Sequence, residues 1–128
     1  MGYSARAFCL NCGNTFTVNS GGGFHFHLLR CDQCGREKPV SFEELGELHL
    51  RYIKGLNAPY SSATWEQDRY VQKHSTLEPI SESEYKRGVE AFAGRCACGG
   101  WYSFNALPRC PACHSARIEE QGIKTLYD

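Results

Sequence analysis

The sequence has no surplus charge of either sign: 14 Lys and Arg stand against 14 Asp and Glu, a formal net charge of zero. A domain devoted to nucleic acid is more often clearly basic, so the balance argues against that class unless a local patch exists. There is also no long hydrophobic run. Nothing approaches the roughly 18–20 apolar residues of a membrane-spanning helix, and Met1-Gly2-Tyr3-Ser4-Ala5-Arg6-Ala7 contains no apolar core of a secretory signal. Position 6 is Arg, where an N-myristoylation motif needs Ser or Thr. No membrane association is expected, and the expected compartment is the cytoplasm.

The signatures of common enzyme chemistries are missing as well. The chain has no Gly-rich phosphate loop, no His-Glu-x-x-His and no Gly-x-Ser-x-Gly. A redox Cys-x-x-Cys would need a βαβ setting that the pattern does not offer. His49 and His74 are placed singly and read as surface residues. The expectation is a protein that is not an enzyme.

What is there is cysteine, and none is left over. All eight fall into four pairs: Cys9 and Cys12, Cys31 and Cys34, Cys96 and Cys98, Cys110 and Cys113. In a reducing compartment paired cysteines favour metal over disulfide, and two pairs about 15–20 residues apart have the usual spacing of a zinc site. Gly13 and Gly35 follow the first two pairs, where a positive φ lets backbone N–H groups turn toward thiolates. Thr15–Val18 and residues 24–28 alternate like strands around the flexible Asn19–Gly23. The resulting order of knuckle, hairpin, knuckle resembles a zinc ribbon over residues 7–36, which implies a closed structural site. The last two pairs resemble the rubredoxin-like knuckles of many zinc ribbons, including those of hydrogenase-nickel maturation proteins, although no nickel-binding N-terminal motif is present. Cys96 and Cys98 have one residue between them, relieved by Gly99 and Gly100, and His114 stands where a glycine is expected. A reading with His114 as a ligand in place of Cys96 or Cys98 therefore stays open.

Closing a loop of about 20 residues costs less chain entropy than closing one of about 60. The expected metal ligands are accordingly Cys9, Cys12, Cys31 and Cys34 around one zinc ion, and Cys96, Cys98, Cys110 and Cys113 around a second. Crossing the first pair with the third is the alternative. The fold class is α+β: an N-terminal zinc ribbon over 1–40, a helical segment over 41–94 packing on the ribbons, and a C-terminal zinc ribbon over 95–128. In the middle, Ser41 to Glu44 forms a capping box before a helix over 42–54 with a stripe of Phe42, Leu45, Leu48, Tyr52 and Ile53. Residues 56–62 read as a loop. Thr64 to Gln67 and Ser81 to Glu84 open two further helices, the last carrying Tyr85, Val89 and Phe92 on one face and ending at Gly94. His25 and His27 are read as the solvent face of their strand, with Phe24 and Phe26 inward.

The functional expectation is a zinc-binding protein with two structural four-cysteine sites, acting as a protein-interaction or adaptor module. Tyr60, Trp65, Tyr70 and Trp101 are candidate anchors for a protein partner. The alternative is nucleic-acid binding, since residues 1–40 hold Arg6, Arg30, Arg36 and Lys38 against Asp32 and Glu37, with Phe24, Phe26 and His27 available for stacking. A zinc-dependent enzyme or accessory subunit is the remaining reading.

Overall fold

Each cysteine pair of the first half sits at the tip of its own hairpin. The computed structural model describes residues 2–23, 25–61 and 63–127; the inward position expected of Phe24 falls outside the described residues. Strand β1 (Gly2–Cys9) enters the Cys9–Cys12 knuckle and returns antiparallel as β2 (Thr15–Ser20), with Ala5 opposite Val18 and Ala7 opposite Phe16. Strand β3 (Phe26–Cys31) enters the Cys31–Cys34 knuckle and returns as β4 (Glu37–Ser41). The Asn19–Gly23 stretch, expected as the turn of one hairpin, instead joins two different sheets. The strands expected to form a single N-terminal ribbon are thus divided.

The rest of the chain completes both sheets. Helices α1 (Phe42–Leu45), α2 (Glu47–Lys54), α3 (Trp65–His74) and α4 (Glu82–Ala93) lead to β5 (Tyr102–Ser103) and β6 (Ile118–Tyr127). Strand β5 adds to β3, giving the order β4-β3-β5; β6 adds antiparallel to β1, giving β2-β1-β6. The register from Gly2 opposite Tyr127 to Cys9 opposite Ile118 draws the two ends of the described chain together. The fold is α+β, as expected. No described helix is long and apolar enough to cross a membrane.

The helical segment follows its capping signals closely. Ser41 accepts from the Glu44 N–H at 3.1 Å, while the Glu44 carboxylate accepts from the Ser41 N–H, so the capping box closes. The single helix expected over 42–54 is broken into α1 and α2 at Gly46, whose φ of 56° and ψ of −123° few residues other than glycine tolerate. Ser81 caps α4 by accepting from the Glu84 N–H at 3.2 Å, without the reciprocal backbone bond. Thr64 does not cap α3; its hydroxyl donates to Asp68 instead. On α4 the buried stripe is Tyr85, Val89 and Ala93, and Phe92, expected on that face, is half exposed. This stripe meets Leu29, Val40 and Tyr102 of the second sheet and Leu45 of α1, forming the main core. Burying a side chain such as Leu29 or Val89 contributes roughly 1.5–3 kcal/mol.

Two histidines lie inside this core, contrary to expectation. The alternation of β3 turns His27, Leu29 and Cys31 inward and leaves Phe26, Leu28 and Arg30 half-buried, so His27 is not on the solvent face. His49, expected at the surface, is buried on α2. Both ring systems meet the hydroxyl of buried Tyr85: His27 Nε2 and His49 Nδ1 each lie 2.7 Å from Tyr85 Oη. One ring N–H donates to the oxygen while the hydroxyl donates to the other ring, which satisfies three polar groups in a low-dielectric interior. Burial lowers both histidines to about 4, with the His49 and Lys86 charges also lowering His27 and the Asp68 charge partly countering the shift at His49.

These shifts set a direction for acid stability. The histidines are neutral in the fold and protonate near 6.5 once unfolded, so the unfolded chain binds more protons between pH 4 and 6.5. Stability should be fully present above about 6.5 and fall as the pH drops toward 4. Acid also strips metal from thiolates, so the comparison that checks the histidine contribution is with His27→Gln. Its melting temperature should lose less than the wild type's between pH 7 and 5; equal losses would mean the histidine network does not titrate on unfolding.

Candidate metal centres

The four knuckles share one backbone design. After each first cysteine the chain folds back so that the residue's own carbonyl accepts an N–H from the turn: Gly13 to Cys9, Gly35 to Cys31, Gly99 to Cys96 and His114 to Cys110, at 2.8–3.1 Å. The cysteine N–H is in turn taken by Asn14, Arg36, Gly100 and Ser115 carbonyls. The donors of the first bond all have positive φ: 79°, 76°, 99° and, for His114, 64°. His114 therefore does the work of the missing glycine, and the conformation costs a non-glycine residue about 1–2 kcal/mol. Among the described residues it joins no ligand cluster, and the open reading of His114 as a ligand is not supported.

The thiols are grouped otherwise than the sequence spacing suggested. Cys9 and Cys12 come together with Cys110 and Cys113; Cys31 and Cys34 come together with Cys96 and Cys98. The arrangement is nested, first pair with last and second with third. It corrects both the expected grouping within each half and the alternative that crossed the first pair with the third. Loop-closure entropy does favour the shorter loops, but only slightly: closing about 60 residues rather than 20 costs roughly 1 kcal/mol more. Strand pairing outweighs it. The β1–β6 ladder carries Ile118 to Cys9, and the β3–β5 ladder carries Tyr102 to Cys31, so each sheet delivers one knuckle from either end of the chain.

All eight cysteines are free thiols. In the outer quartet Cys9 and Cys113 sulfurs are 3.6 Å apart, as are those of Cys12 and Cys110. In the inner quartet Cys31 and Cys98 are 3.4 Å apart and Cys34 and Cys96 3.6 Å. A tetrahedron with metal–sulfur bonds of about 2.3 Å has sulfur edges of about 3.8 Å, so both quartets have the spacing that four-thiolate ligation needs. Each could hold a metal ion.

Hydrogen bonds prepare the sulfurs for negative charge. The N–H groups of Cys12, Gln33 and Ala112 point at Cys9, Cys31 and Cys110 Sγ, each at 3.4 Å. The Asn11 and Asn14 side chains add donors to Cys113 and Cys110. The Cys98 N–H and the Tyr102 hydroxyl hold Cys96 down at about 6, and the Asn11 amide lowers Cys113. Burial and the neighbouring thiols instead push Cys34 up to about 12, a backbone N–H from Arg36 only partly opposing them. Without a cation each cluster therefore shares protons among its sulfurs; a bound cation displaces them.

Two close approaches weld the knuckles together. A Cβ on Gly100 would lie 2.6 Å from Cys31 Sγ, so no other residue fits beside the inner sulfur. A Cβ on Gly35 would lie 2.7 Å from that of Arg109, where the inner knuckle touches the segment leading to the outer one. Arg36, Arg109 and His114 line a pocket beside the inner quartet together with Cys34, Cys96 and Cys98. Arg109 Nε is buried there and has no hydrogen-bond partner among the described residues, which suits a neighbour of negative charge.

Residues 5–119 match the model of a family described as Domain of unknown function (DUF8255). No curated protein and no solved structure matches the chain.

The nested grouping makes a direct prediction for Cys110→Ser in metal-loaded protein. Metal content should drop from two ions to one, and Cys9, Cys12 and Cys113 should become open to alkylation while Cys31, Cys34, Cys96 and Cys98 stay protected. Peptide-resolved alkylation would read this out. Exposure of Cys96 and Cys98 together with Cys113 would instead restore the grouping within halves.

Proposed function

The chain belongs to that DUF8255 family, and from this starting point we propose, on its two thiol quartets, that it is a zinc-binding protein whose metals are structural. The observation that carries the reading is the closed donor set. Four cysteine sulfurs per site, with no mixed ligand, suit zinc. They leave no open position of the kind that catalytic zinc keeps for water or substrate. When bound, the ion would supply cross-linking energy between the two ends of the chain, held by Cys9, Cys12, Cys110 and Cys113 on one side and by Cys31, Cys34, Cys96 and Cys98 on the other.

The scaffold so held acts as a protein-interaction or adaptor module in the cytoplasm. Support comes from the rings expected as anchors: Trp65, Tyr70 and Trp101 are more than half exposed, and Tyr60 lies at the edge of the core. Arg95 packs its guanidinium 5.1 Å from the Trp101 ring, so this large apolar surface stands at the mouth of a knuckle with a cation above it. Against the nucleic-acid alternative stands the location of the basic side chains. Arg36 and Arg109 lie beside the inner quartet, and a zinc ion with four thiolates carries a net charge of about −2. Much of their charge is therefore answered within the molecule, leaving little for the counterion release that drives phosphate binding.

Metal analysis of freshly reduced protein should return two zinc ions per chain with all-sulfur coordination. Because structural zinc supplies on the order of 10–16 kcal/mol in small peptides, Cys31→Ser should collapse the amide dispersion of the inner sheet; a variant that stays folded without its metal would contradict the structural role. Capture of partners from native cells should survive nuclease treatment. Oligonucleotide binding that weakens steeply with added salt, and disappears in an Arg30→Ala, Arg36→Ala variant, would establish the nucleic-acid reading instead.

A further inference from the structure

Five rings surround a small cavity of about 230 Å³, lined by His27, Tyr52, Tyr60, Tyr85 and Phe104, with Glu82 and Lys86 as its charged members. The rings lie in different planes. His27 stands edge-on to Phe104 at 5.5 Å and 85°, and to Tyr60 at 6.0 Å and 84°. Tyr60 in turn stands edge-on to Tyr52 at 6.0 Å and 70°. Tyr52 stacks on Tyr85 at 4.2 Å, and Tyr85 is pinned by the two histidines at 2.7 Å. The Tyr60 backbone is fixed by its N–H donating to buried Asp68 at 2.7 Å. The walls are thus held before any ligand arrives, and preorganised walls lose little entropy on binding.

We propose that this cavity is a receptor for an organic ammonium group, a quaternary or multiply methylated amine. Three features select that class. Five aromatic side chains and the Glu82 carboxylate surround the space, and rings together with a carboxylate are how aromatic cages hold such cations. The volume is below the 300–1,000 Å³ of pockets for whole drug-sized ligands and suits a head group. The site also already attracts a cation: Lys86 Nζ lies 5.8 Å from the Phe104 centroid and 3.2 Å from Glu82. That side chain is about half exposed and sits on the outer turn of α4. It can swing out, since an exposed pair of this kind holds its partners only weakly. Lys86 is the resident competitor. A methylated amine, more weakly hydrated than the lysine ammonium, replaces it at the ring faces. Burial keeps His27 neutral near pH 7, so the floor of the cavity carries no repelling charge.

The test uses the metal-loaded full chain and the ring resonances of Tyr60 and Phe104. Choline should shift both saturably, in the millimolar range expected of a small head group. Its uncharged isostere 3,3-dimethylbutanol should bind about tenfold more weakly, as the loss of a cation–π contact implies. Lys86→Gln should strengthen choline binding severalfold, and Tyr60→Leu should abolish it. A peptide bearing one trimethyllysine, beside its unmodified counterpart, separates the sources: tighter binding than choline marks a protein-borne amine, equal or weaker binding a small molecule. The proposal is overturned if choline shifts neither ring, if the isostere binds as well as choline, or if Lys86→Gln leaves the affinity unchanged. The last two outcomes are readable even if Tyr60→Leu fails to fold.

Discussion

Everything else in the molecule depends on the nesting of one thiol quartet inside another. The inner quartet joins cysteines 62 and 67 residues apart, the outer one cysteines 98 and 104 apart. Once the inner set is closed, the outer set has only two short connections left to order, residues 13–30 and 99–109. The second closure is then far cheaper than its sequence separation implies. The helical segment is held between the two ends of the inner closure, so α4 has its apolar stripe facing the very sheet that carries Cys31. For a chain of this size, whose hydrophobic core is modest, such closures substitute for burial that the sequence cannot provide.

Much of the local structure was legible because short-range chemistry decides it. The Ser41–Glu44 and Ser81–Glu84 caps, the strand of Thr15–Val18 and the arrest of α4 at Gly94 all follow from residues within one turn of each other. The eight thiols were equally legible as candidate metal ligands. Their partition was not, because it is set by which strands pair, and pairing of β1 with β6 leaves no mark in the spacing of cysteines. The β1 strand itself went unread: its Ala5, Ala7 and Cys9 alternate in burial, but small residues give a weak apolar signal. His27 and His49 were misplaced for a related reason. A histidine in an apolar stripe reads as a surface group until its partner is known, and Tyr85 lies 36 and 58 residues away in sequence.

The two halves of the structure solve the same problem by different chemistry. Near the knuckles, cysteine sulfurs gather backbone N–H donors, with Arg36 and Arg109 alongside. In the helical half, a hydroxyl shared between two neutral imidazoles fixes the packing of Tyr85 against Tyr52 without any formal charge. A buried network of this kind is stabilising only when all members are satisfied, and the rings of Phe42 and Tyr60 pack around it, 4.8 and 6.0 Å from His27.

The outer quartet has a consequence for the chain as it is being made. Synthesis runs from the N-terminus at roughly 5–20 residues per second, so Cys12 precedes its partner Cys110 by 98 residues and Cys9 precedes Cys113 by 104. The inner site can close as soon as Cys98 has left the ribosome, but the outer one cannot. For that interval the first knuckle carries two unliganded thiols, one of them exposed in the finished fold. Chains broken off before Cys110 keep them permanently. Such a chain exposes reactive sulfur and an unpaired β1 edge, both features that quality-control proteases and chaperones encounter as unfinished surface.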